Sequence, residues 1–172
     1  MSAIALLRSK TAASHEAVDF IFGTHDLGDA AAYGRFLQAH ARALPQAEAM
    51  AVSVWPALRR RTPLLAADLD ALGLPAELAV DSGGEGTPAH WGALYVVEGS
   101  RLGGGLLAKR VGQGLPVAYL SAVHEPGEWR AMRQAIDRAA DGQDKGWLEE
   151  MVAGAQATFA LYAAAARDER AV

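Results

Sequence analysis

The sequence predicts an all-α protein, and three observations predict it. Alanine and leucine dominate, β-branched residues rarely alternate with polar ones, and apolar side chains recur three and four positions apart. Alanine and leucine carry a low cost of helix formation. The spacing gathers apolar groups on one face of a 3.6-residue helix rather than on one side of a strand, and no segment reads as a strand. With 172 residues, 51% apolar and 21% charged, the chain is large enough to bury a core, which predicts one domain over residues 1–172.

The elements follow in order. Ile4, Leu7, Thr11, His15, Val18 and Phe22 share one stripe and predict a first helix from about Ser2 to Phe22, ended by Gly23. A second begins near Asp29, whose side chain suits an N-cap. It turns Tyr33, Phe36, Leu37, His40 and Leu44 inward, with Pro45 expected to bend it. Thr62 followed by Pro63 predicts a short third helix with Thr62 as its capping residue, ending at Gly73. The segment 81–86 reads as a loop inside the domain. A fourth helix runs from Pro88 to about Val111, although Gly99, Gly103, Gly104 and Gly105 fall within it. Two more are predicted near Glu128 to Ala140 and Lys145 to Arg167.

Composition excludes several chemistries. A net charge of −4 and a pI near 5.7 argue against a nucleic-acid or anionic-membrane partner, since both reward a basic face. Zero cysteines remove disulfides, thiolate metal sites, iron–sulfur clusters and a Cys nucleophile, so a metal would need His or carboxylate ligands. No uncharged apolar run approaches the roughly 20 residues of a membrane span. The start of the chain lacks the pattern of a signal peptide, and the end carries Arg167-Asp168-Glu169-Arg170 rather than an anchor. A cytoplasmic location is the expectation.

Two constellations bear on chemistry. His15 lies on the apolar stripe of the first helix with Asp19 one turn on. A metal-bound histidine commonly gives its second N–H to such a carboxylate, and so does a plain core histidine. His25, His40, His90 and His124 show no comparable pairing and are assigned surface or core roles. The glycines of Gly99-Ser-Arg-Leu-Gly103-Gly-Gly105 each cost about 0.5–1 kcal/mol against alanine in a helix. They are not a phosphate loop, because Leu106 and Leu107 follow where Lys and Ser or Thr would be required. They fit either a close helix crossing or a flat ligand pressed on the backbone, and spacing alone favours the crossing. Arg59-Arg60-Arg61 reads as a solvated turn, and Arg8 and Thr11, taken singly, as surface and packing residues.

Leu-Arg8-x-x-Thr11-x-x-x-His15-x-x-x-Asp19, with Gly92-Ala-Leu-Tyr95-Val-Val-Glu98-Gly99-Ser100-Arg-Leu102-Gly103-Gly104 downstream, resembles biliverdin-producing heme oxygenases of the short soluble bacterial type found beside bacterial phytochromes. The resemblance implies a helical bundle holding heme, as both substrate and cofactor, between the first helix and the glycine-broken one. It implies His15 as iron ligand through Nε2, with Asp19 behind it. Gly99, Gly103 and Gly104 would lie against the porphyrin face, and Arg8, Thr11, Arg130 (beside Trp129) and Phe159 would line the pocket. Ser100 stands where animal members carry an aspartate that organises water, so Ser100, Arg101 or main-chain groups would hold it here. The implied reaction consumes heme, molecular oxygen and electrons from an external ferredoxin or reductase. It yields biliverdin, ferrous iron and carbon monoxide, with a bacterial phytochrome as acceptor of biliverdin. The alternative is a heme carrier or sensor of the same fold without turnover. Among architectural relatives, thiaminases need the cysteine this chain lacks, and a di-iron site needs more than Asp19, Glu48 and Glu98.

Overall fold

The computed structural model describes residues 1–78 and 84–168. Residues 81–83 of the expected loop, and Glu169 and Arg170 of the C-terminal run, lie outside the described residues. The described residues form seven helices and no strand: α1 (Ala3–Phe22), α2 (Ala30–Val54), α3 (Thr62–Ala71), α4 (Pro88–Ala108), α5 (Ala118–Ser121), α6 (Glu128–Ala140) and α7 (Lys145–Asp168).

The starts of α1 and α2 follow local chemistry. Ser2 accepts from the Ala5 N–H and Asp29 from the Ala32 N–H, each satisfying a donor the helix itself leaves unpaired. The start of α3 differs from the expectation. Its cap position is Arg61, and Thr62 does not cap. The Glu48 carboxylate, fully buried on α2, accepts from the backbone N–H groups of Arg61 and Thr62 and from the Thr62 hydroxyl. A carboxylate supplied by a neighbouring helix thus does what a local side chain was expected to do, and its charge suits the positive helix end.

Helix α2 is buried nearly all round, with alanines at 39, 41, 43, 47, 49 and 51 letting its neighbours come close. Helix α7 packs against α4, α1 and α2, whereas α1 and α4 scarcely touch each other. The α4–α7 contact depends on two glycines. A Cβ at Gly92 would strike the Met151 carbonyl oxygen and the Ala155 nitrogen of α7, and one at Gly154 would strike the Ala89 backbone of α4. The close crossing therefore sits at Gly92 and Gly154. Spacing had favoured Gly99 and Gly103 for it, but their Cβ directions meet only Trp129 at 3.9 Å and nothing, respectively.

Arg59-Arg60-Arg61 is likewise not a simple solvated turn. Arg59 is paired with Glu128 at 2.7 Å, while Arg61 is fully buried and donates to the Val97 carbonyl and the Ser100 hydroxyl of α4. Its guanidinium carbon lies 5.3 Å from the Tyr119 ring centroid. Three consecutive arginines carry no sign of which one turns inward, because the acceptors come from another helix.

Candidate active site

Because α1 and α4 both rest on α7 but not on each other, a gap separates them, and it forms a cavity of about 580 Å³, within the usual size of ligand pockets. One wall is α1, with Arg8, Thr11, His15 and Asp19; the other is α4, with Tyr95, Gly99, Ser100, Gly103 and Gly104. Phe159 and Tyr162 enter from α7, Trp129 from α6, and Phe36 and His40 from α2.

Most of the expected residues are brought together. His15 is exposed towards this space, with Nδ1 3.5 Å from Asp19 Oδ2, a separation of ion-pair range but longer than a hydrogen bond. With Nδ1 turned to the carboxylate, Nε2 is the nitrogen left for a ligand. Phe159 meets the imidazole edge-on at 5.8 Å. Thr11 is buried and its hydroxyl donates to the Leu7 carbonyl. Burial pushes the Tyr95 phenol up, opposed by Arg8, a hydrogen bond with the Thr11 side chain and Arg133, which gathers these groups near one another. Gly99 and Gly103 present bare backbone to the open space, whereas at Gly104 a Cβ would lie 3.1 Å from the Leu120 carbonyl oxygen. Gly104 therefore also lets α4 approach α5.

Arg101 and Arg130 are not among the lining residues. Arg130 is exposed on α6. Arg101 is buried on the side of α4 away from the cavity, donating to Glu98, the Ala122 carbonyl and the Arg59 carbonyl. His124 Nε2 lies 2.9 Å from the same Glu98 carboxylate. Burial nonetheless holds the His124 imidazole below its usual range, outweighing the attraction of Glu98. This network fastens α4 to the segment after α5.

The closed end of the cavity is polar, and sequence reasoning missed it. His40, Arg61, Ser100, Tyr119 and Tyr162 all border it. His40 Nδ1 lies 2.6 Å from the Tyr119 hydroxyl. Burial first, then the charge of Arg61 and the proximity of His25, lowers the His40 imidazole to about 3. The one available signal was the place of His40 on the inward stripe of α2, four residues after Phe36; its partner is 79 residues away.

The depressed His40 value sets a stability prediction. An unfolded histidine protonates near pH 6.5 and the folded His40 does not, so the unfolded chain binds the extra proton as pH falls. The contribution is therefore complete above about pH 6.5 and is lost progressively towards pH 3, by up to about 1.4 kcal/mol per pH unit. His90 and His124, also lowered by burial, add in the same direction. Urea unfolding at several pH values checks this: His40→Gln should flatten the acid slope, and an unchanged slope would remove His40 as its source.

No protein-family model matches the chain. A protein described as a heme oxygenase from Xanthomonas campestris pv. campestris (strain 8004) is 34% identical over 149 residues, covering 78% of this chain and 88% of that one. The crystal structure of the NO- and CO-bound heme oxygenase from Neisseria meningitidis superposes with a TM-score of 0.79, covering all of this chain and 94% of that chain at 21% identity.

Proposed function

Because the chain belongs to the heme oxygenase family, we propose that its α1–α4 cavity binds heme and that the protein opens it with molecular oxygen and external electrons to biliverdin, ferrous iron and carbon monoxide. The observation that carries the reading is the pairing of an exposed histidine on one wall with two glycines on the other whose Cβ directions are open. A flat ligand fits against such a wall, and one histidine would suffice to hold iron whose other ligands come from the porphyrin itself. Among the described residues, no group of three or more His, Cys, Asp or Glu side chains could hold a bare metal ion, which fits iron that arrives inside its macrocycle.

His15 Nε2 is the proposed iron ligand, and Asp19 orients the imidazole through Nδ1. Arg8 at the rim, beside Tyr95, supplies positive charge for a propionate. Gly99 and Gly103 bring main chain within reach of the ring face, and Ser100, whose hydroxyl donates to the Val97 carbonyl and accepts from Arg61, has a lone pair left to accept from ordered water. Arg101 and Gly104 support the site by fastening α4 to α5 and the segment after it. Bound heme supplies the iron at which oxygen and electrons meet and the ring carbon that is oxidised. The chain's part is to keep strong acids and bases away from the α4 wall, because distal polarity decides the fate of oxygen.

The proposed electron donor is a ferredoxin or a reductase, and the proposed recipient of biliverdin is a bacterial phytochrome. No helix of the described residues is long and apolar enough to cross a membrane, and we assign the reaction to the cytoplasm. Ferric heme should give a Soret band on mixing. With a ferredoxin-type reductant, oxygen and catalase, one turnover should bleach that band and release biliverdin. Persistent, unreacted bound heme would reduce the protein to a carrier or sensor.

A further inference from the structure

His40 has a place in the cavity that its position in the sequence did not announce. Its ring is enclosed by Phe36, Phe22, Tyr119 and Tyr162 at centroid separations of 4.3, 4.7, 5.5 and 5.5 Å. Tyr119, whose hydroxyl meets His40 Nδ1, is itself fixed at three points. Asp68, a buried carboxylate of α3, accepts from the Tyr119 N–H at 2.8 Å and from the Ala118 N–H at 3.1 Å. Arg61 lies over the ring, and the same Arg61 donates to the Ser100 hydroxyl and the Val97 carbonyl. The chain of contacts His40–Tyr119–Arg61–Ser100 links the imidazole to the α4 wall, while Phe22 of α1 packs on its other side.

This arrangement fixes a tautomer. Burial keeps the Tyr119 phenol protonated, raising it to about 12, and keeps the His40 ring neutral. The Tyr119 hydroxyl meets no other acceptor among the described residues, so its hydrogen goes to Nδ1 and the imidazole hydrogen is left on Nε2.

We propose that His40 presents a fixed Nε2–H on the α4 side of the cavity, as a neutral hydrogen-bond donor to a diatomic ligand or to the water beside it, with Tyr119 as its positioning residue. The proposal rests on the heme oxygenase reading of the cavity. A neutral imidazole N–H polarises an oxygen without handing over its proton. It thus supplies the weak, directed donor that such a wall calls for while avoiding a strong acid. The Gly99–Gly105 stretch of α4 has no histidine of its own, and α2 supplies one instead.

Two measurements test this. In the heme-free protein, long-range proton–nitrogen NMR of nitrogen-15 histidine should show His40 as the Nε2–H tautomer with no titration between about pH 5 and 8, and Tyr119→Phe should give a mixture of tautomers. In the ferrous heme complex, His40→Leu should raise the carbon monoxide stretching frequency and speed oxygen release by about tenfold, the loss expected for one hydrogen bond. His40→Gln, which keeps an N–H, should stay near the parent. An Nδ1–H tautomer in the heme-free protein overturns the proposal. So does a His40→Leu complex with parental stretch and oxygen release. Absence of a Soret band in the parent would instead overturn the cavity reading, and the tautomer is read without heme, so the two failures are distinct.

Discussion

Leucine at Gly103 is expected to leave the protein folded and to weaken heme binding by about 100-fold, whereas alanine at Gly92, eleven residues earlier on the same helix, is expected to destabilise the fold by about 3 kcal/mol or more. The difference lies in what a new side chain meets. At Gly103 a Cβ meets nothing within 4 Å and points into the cavity. Replacing a helical glycine there improves helix propensity by about 0.5–1 kcal/mol, while the longer side chain fills the space a flat ligand needs. At Gly92 a Cβ strikes the Met151 and Ala155 backbone of α7, and backbone inside a packed crossing cannot swing aside as a side-chain end can. Urea unfolding and Soret titration of both variants check the pair. A Gly103→Leu protein that binds heme like the parent would remove the ligand from the glycine wall, and a fully stable Gly92→Ala would remove the crossing from Gly92.

His15→Ala is expected to lower heme affinity by at least about 100-fold and to abolish turnover, since outer partners of a metal ligand alone are worth 10–100-fold. Asp19→Asn, which leaves the ligand but alters its partner, should cost about tenfold. Neither change should move folding stability by more than about 0.5 kcal/mol, because both side chains are more than half exposed. Imidazole added to His15→Ala should restore the Soret maximum of a histidine complex. An unaltered spectrum and unaltered turnover in His15→Ala would sink the assignment of iron to His15.

Much of the fold was legible because helix formation is settled within four residues. The cap Asp29 and the stripes of α1 and α2 are local patterns, and the expected bounds of α1, α6 and α7 and the start of α2 agree with the structure to within a residue or two. Helix α5 was not foreseen: it is four residues long, too short for periodicity, and is held by Asp68 from fifty residues away. Of the cavity-lining residues, those on α1 and α4 were legible because each set shares one helix at regular spacing. The polar end was not, because His40, Arg61, Tyr119 and Tyr162 come from four separate segments.

The sequence by itself therefore determined which segments are helices and placed a histidine and a run of glycines where a site could form. Only the tertiary structure decided what each glycine is for and where Arg61 and His40 point. One glycine lets two backbones touch, another leaves room for a ligand, and the residue type is identical in both cases. What separates them is the position of α7 relative to α4. That position follows from the packing of the whole bundle rather than from any interaction between residues near in sequence.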